Sequence, residues 1–124
     1  MEIISLLFLL FTKHFVVDFI LQTEYQWSNK GKFLHPGGVL HSFLHGISSF
    51  FIMKEYIDPE LAYQFSLIEG CVHYLIDWSK VNINEYFDWK SNTSPKFWYL
   101  LGFDQYLHPL TYLLMGYFSL QYLN

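Results

Sequence analysis

Lys13-His14-Phe15-Val16-Val17-Asp18-Phe19-Ile20-Leu21-Gln22 closes an apolar run that begins at Ile3. His14, Asp18 and Gln22 recur every fourth residue, which places them on one face of a helix. The remaining faces carry Phe, Val, Ile and Leu. Polar groups with that spacing, in a helix otherwise fit for lipid, are costly unless they find partners. The chain offers partners at the same spacing three more times: His41 with His45, His73 with Asp77, and Asp104 with His108. Five of the six histidines belong to these four pairs. The set carries the signal, because a lone histidine on an apolar helix is more often a hydrogen-bonded core residue than a ligand.

Composition agrees with a lipid setting. The chain is 52% hydrophobic and 22% aromatic, with only 15% charged residues. Soluble domains carry about a quarter. All seven basic residues are lysines and the net charge is −4, the opposite of a nucleic-acid binder. The single cysteine, Cys71, excludes an intrachain disulfide and a zinc site built of thiolates. No basic segment precedes the first apolar run and no small-residue cleavage site follows it, so the first helix is expected to stay in the mature protein.

These features predict an all-α fold: an integral membrane, up-down four-helix bundle with a polar His/Asp core near one membrane face. One domain covers 1–124, with spans at about 3–22, 39–57, 59–80 and 103–122. Residues 23–37 and 81–94 carry loop chemistry, and His35 beside Pro36 reads as a loop residue. Asp58-Pro59-Glu60 and Ser94-Pro95 are helix starts, a capping side chain followed by proline at the first helical position. The stretch from Pro95 to Leu123 exceeds a membrane's thickness, so a break or bend is expected at Gly102 and Pro109. Lys30, Lys32, Lys90 and Lys96 sit in the two longer loops. The positive-inside rule puts those loops in the cytoplasm and both termini outside, in a bacterial inner membrane. Trp27, Trp78, Trp89 and Trp98 fall near the same interface.

On that topology the pairs sort into two layers. His14, His45, His73 and His108 lie deep; Asp18, His41, Asp77 and Asp104 lie shallow. Imidazoles and carboxylates together suit Zn, Mn or Fe, and facing helices that each point ligands inward can hold one or two ions. All eight are candidate metal ligands. Asp18, His41 and Asp104 are also candidate catalytic groups, and Gln22, Lys30, Lys80 and Gln105 candidate substrate-binding groups. Glu69 extends the His73 face one turn deeper.

The expected activity is metal-dependent hydrolysis of a phosphoester-type lipid or nucleotide-like substrate from the cytoplasmic side. A proton or metal-ion carrier using the same residues, or an interaction protein with a structural His/Asp core, are the alternatives. The partners expected are membrane lipid, a small-molecule or lipid substrate and a second copy of the chain, with no nucleic acid.

The ordered motifs His14–Gln22, Asn29-Lys30-Gly31-Lys32, His41–His45, His73–Asp77 and Asp104-Gln105-Tyr106-Leu107-His108 resemble an uncharacterised family of small polytopic membrane proteins from bacteria and their phages. The resemblance spans nearly the whole chain and implies no assigned activity. More distantly, the chain is similar to the prophage-type membrane-bound metal-dependent hydrolases, which share His and Asp pairs on apolar helices. The absence of Arg and near absence of Ala fit an AT-rich genome such as many phages have, so either a phage or a bacterial host is an expected source.

Overall fold

A computed structural model describes residues 1–123, and within them the chain is all-helical. Helix α1 (Glu2–Phe15) runs straight into a π-helical turn at Val16–Ile20. A short α2 (Glu24–Trp27) follows, then α3 (Pro36–Met53), α4 (Pro59–Tyr86), α5 (Pro95–Ser119) and a final 3-10 turn, Leu120–Tyr122.

Three long helices share one kind of start. Asp58 accepts hydrogen bonds from the backbone N–H groups of Glu60 and Leu61, and Ser94 accepts one from Lys96, each just before a proline. His35 does the same for α3: its Nδ1 accepts from Gly37 N–H at 3.1 Å, with Pro36 opening the helix. His35 is therefore a cap rather than a loop residue, and α3 starts three residues before Val39. Helix α4 also outruns its expected end at Lys80, continuing to Tyr86. Helix α5 runs through both Gly102 and Pro109 without a break.

The four long helices close a ring: α1 packs on α3 and α5, and α4 packs on α3 and α5. Every neighbour is antiparallel. Asp18 meets His41 while Lys13 meets His45; Lys80 meets Asp104 while Glu69 meets Tyr112. The α3–α4 contact is the tightest, because it is lined by glycine. A Cβ on Gly46 would stand 3.0 Å from the Ser66 carbonyl oxygen, and one on Gly70 3.3 Å from that of Ser42.

The interior divides in two along the bundle axis. One end is an apolar plug of Leu6, Leu10, Met53, Ile57, Ala62 and Met115, closed over by the Tyr112 ring. The other end is polar. Among the described residues, sixteen polar or charged side chains are buried against eight hydrophobic ones, the reverse of a water-soluble core. Large apolar groups such as Phe8, Phe19, Phe43, Leu67, Phe103 and Phe118 face outward. By length and composition, Glu2–Ile20 is the only described helix apolar enough to cross a membrane, with a mean hydropathy of 2.0.

Candidate metal centre

The π-helical turn sets the first element of the site. Its wider winding, closed by Leu21 N–H donating to the Val16 carbonyl at 2.9 Å, surrounds Asp18. Such turns are frequent where a helix delivers a functional side chain. Gln22 does not reach the centre; its amide donates back to the Asp18 carbonyl at 2.7 Å and ends the helix.

Asp18 Oδ1 lies 2.9 Å from His41 Nε2, 3.0 Å from His45 Nε2 and 3.7 Å from His73 Nε2, and the His41 and His73 Nε2 atoms are 3.2 Å apart. Ligand atoms about 2.0–2.1 Å from one tetrahedral ion stand about 3.3–3.4 Å apart. The four residues thus have the spacing of a metal-binding quartet. A second group, Asp77, Asp104 and His108, lies beside it. His108 Nε2 is 3.6 Å from Asp77 Oδ1 and 3.5 Å from Asp104 Oδ1. His108 Nε2 and Asp104 Oδ1 are buried and make no hydrogen bond. Asp77 joins the two groups, since its Oδ2 lies 3.5 Å from His41 Nε2 and 3.4 Å from His73 Nε2. His14 completes the layer, its ring 4.9 Å from that of His108 and 5.7 Å from that of His73. With His73 and His108 it forms a third set of suitable geometry.

His14 Nδ1 lies 3.0 Å from the Tyr112 hydroxyl, whose own proton is directed to Glu69 Oε1 at 3.2 Å. His14 Nε2 lies 3.2 Å from Asp18 Oδ2. A ligating His14 would turn the bare lone pair of one ring nitrogen to the ion while the other nitrogen keeps its proton. These buried His/Asp groups are therefore able, by geometry and chemistry, to hold a metal ion.

A further layer underlies the imidazoles. Lys13 Nζ donates to Glu69 Oε1 and to the Tyr112 hydroxyl, both at 3.2 Å, and to the His45 carbonyl at 3.3 Å. Glu69 Oε1 is 3.9 Å from His73 Nδ1 and 4.0 Å from His45 Nδ1, beyond hydrogen-bond distance, so it sets a negative charge under two candidate ligands without fixing either ring. Tyr112 was not among the residues singled out from the sequence. Its position four after His108 puts it on the same face and could have identified it.

Beyond Asp77 and Asp104 lies a cavity of about 330 Å³, lined in part by Gln22, Trp27, Lys30, Lys80 and Asn84 and linked to the centre through the two lysines. Lys30 Nζ pairs with Asp77 Oδ2 at 2.7 Å; Lys80 Nζ pairs with Asp104 Oδ2 at 3.2 Å and approaches Asp77 Oδ1 at 3.8 Å. Gln105 lies outside the lining and donates to Asp104 Oδ2 at 3.0 Å. A larger, apolar groove of about 610 Å³ runs along the outside of α3 and α4 past Cys71 and holds none of the clustered residues.

Helices packed around a buried His/Asp centre with the geometry to hold a metal ion define the class. A family model matches residues 6–124, and the chain belongs to that family, described as a protein of unknown function, DUF3307. Comparisons with curated proteins and with solved structures found no match.

Proposed function

We propose that this protein is a membrane-embedded, metal-dependent hydrolase of phosphoester-type substrates. The observation that carries the reading is the convergence of Asp18, His41, His45 and His73 at ligand spacing, with Lys30 and Lys80 linking the adjoining Asp77 and Asp104 to a nearby cavity. In such a centre a divalent ion supplies a water acidic enough to lose a proton near neutral pH and a charge that polarises a phosphoryl oxygen. Asp77 and Asp104, whose partners Lys30 and Lys80 line the cavity, would be the carboxylates placed to take the water's proton. Lys30 and Lys80 bind the anionic oxygens of the substrate. A volume of about 330 Å³ sits at the small end of ligand sites and suits a headgroup or small nucleotide-like ester.

The inside-out distribution of side chains supports a bundle that crosses the bacterial inner membrane four times. Outward Phe and Leu meet acyl chains while charged groups pair within. With the lysine-bearing loops in the cytoplasm, the cavity opens on that side. The likeness to prophage-type hydrolases points the same way. The apolar plug favours a hydrolase over a proton or ion carrier. Below Glu69 and Tyr112 the axis is filled by Leu6, Leu10, Met53 and Met115, and a conducting path would need polar groups there.

Elemental analysis of detergent-purified protein tests the reading. One or two Zn, Mn or Fe ions per chain are expected, lost in a His45→Ala/His73→Ala double variant, with metal-dependent release of phosphate from simple phosphoesters. A well-folded wild type that stays metal-free after incubation with all three metals would sink it.

A further inference from the structure

Building on the metal-centre reading above, we infer that Lys80 acts as a built-in stand-in for a second divalent ion. The Asp77–Asp104–His108 group then takes that ion only when a phosphate-type anion enters the cavity and draws the lysine away.

Charge is the first argument. Lys13 and Glu69 neutralise each other in the layer below. The centre then holds three carboxylates, Asp18, Asp77 and Asp104, against two ammonium groups, Lys30 and Lys80. With every imidazole counted as neutral, as a metal-ligating ring must be, that leaves one negative charge. A single divalent ion turns it into one positive charge. A second ion would raise the excess to three among deeply buried side chains, where uncompensated charge is costly. A bound phosphate dianion brings the excess back to one. The second ion and the anion are therefore expected to bind together.

Geometry is the second. The quartet of Asp18, His41, His45 and His73 has four candidate ligand atoms, and the lysines of the centre reach Asp77 and Asp104 rather than Asp18. The second group has three candidate ligands, and Lys80 Nζ stands among them, 3.2 Å from Asp104 Oδ2 and 3.8 Å from Asp77 Oδ1. An ammonium group and a divalent ion cannot occupy that space together. The lysine does not satisfy the whole group, since His108 Nε2 and Asp104 Oδ1, both deeply buried, are left without a hydrogen bond. These are the atoms a metal ion would engage.

Mobility is the third. The Lys80 side chain is 19% exposed and lines the cavity, whereas that of Lys30 is 8% exposed. A long, flexible stem lets the Lys80 head leave the carboxylates and follow an anion into the cavity while its methylenes stay packed. Lys30 stays on Asp77. The vacated carboxylates, with His108, would then hold the second ion, whose charge would draw the anion's oxygens.

Zinc stoichiometry reads the proposal out directly. Detergent-purified protein, stripped with chelator and re-equilibrated with zinc, is analysed for bound zinc with and without inorganic phosphate. Wild type is expected to hold one zinc without phosphate and two with it. Lys80→Met is expected to hold two without phosphate, and Asp104→Asn one under both conditions. Two ions in wild type without phosphate, or one ion throughout, would overturn the inference and leave the metal centre standing. No zinc under any condition would remove the centre and the inference together.

Discussion

The two ends of this bundle are built from the same four helices and solve opposite problems. At the plug, Leu6, Leu10, Met53, Ile57, Ala62 and Met115 fill space with side chains that need only volume. At the polar end, nearly every buried side chain needs a particular partner in a particular orientation, and several lack one. The plug gains from close packing alone. The polar end is stable only as a network, because a buried charge without its partner costs more than the pair contributes. The difference teaches that stability and chemistry are divided along the bundle axis, with Lys13, Glu69 and Tyr112 at the boundary.

That division can be broken most severely at the boundary. Lys13→Met leaves Glu69 buried without its cation, and a loss of about 3–5 kcal/mol is expected. The double variant Lys13→Met/Glu69→Leu should recover most of it. Thermal unfolding in detergent measures both, and a double variant as damaged as the single would show that the pair is not the source. Both variants should also bind metal about 10–100-fold more weakly, since the carboxylate or its anchor beneath His45 and His73 is gone.

A next, smaller effect sharpens the contrast from the other side. Leu10→Ala opens a cavity in the plug and should cost about 2–4 kcal/mol while leaving metal content unchanged. Loss of metal in that variant would mean that the two ends are not separable.

The smallest effect is expected where α3 and α4 touch. Gly46→Ala puts a methyl group 3.0 Å from the Ser66 carbonyl and should cost about 1–2 kcal/mol. Because His41 and His45 ride on the displaced helix, metal affinity should fall as well. An unchanged melting temperature would show that the helices yield freely at this contact.

Much of the site was legible because its residues repeat every fourth position. His14 with Asp18, His41 with His45, His73 with Asp77 and Asp104 with His108 could be assigned to faces, and antiparallel helices then stack those faces in layers. What spacing could not supply were features that depend on three dimensions. Tyr112 reads as one more aromatic until His14 is seen against its hydroxyl. Gln22 keeps the spacing but lies past the π-helical turn, where its amide returns to its own backbone. His35 looked like loop chemistry because imidazole is an uncommon cap, although the proline after it marked a helix start as clearly as at Asp58-Pro59. The unbroken α5 overrode the signals at Gly102 and Pro109. Gly102 has open space around it, and a single proline removes one backbone donor without forcing an end.

The shared start of α3, α4 and α5 has a consequence for how the protein is made. A cap and a proline fix where each of these three helices begins from neighbouring residues alone, so the height of every His and Asp on them is determined before any helix meets another. In the bilayer setting proposed above, helices would form first and associate afterwards. The centre is then the last thing to come into being during biogenesis. Four finished rods dock, and only that docking creates a place for an ion, so a nascent chain would not capture metal while still leaving the ribosome.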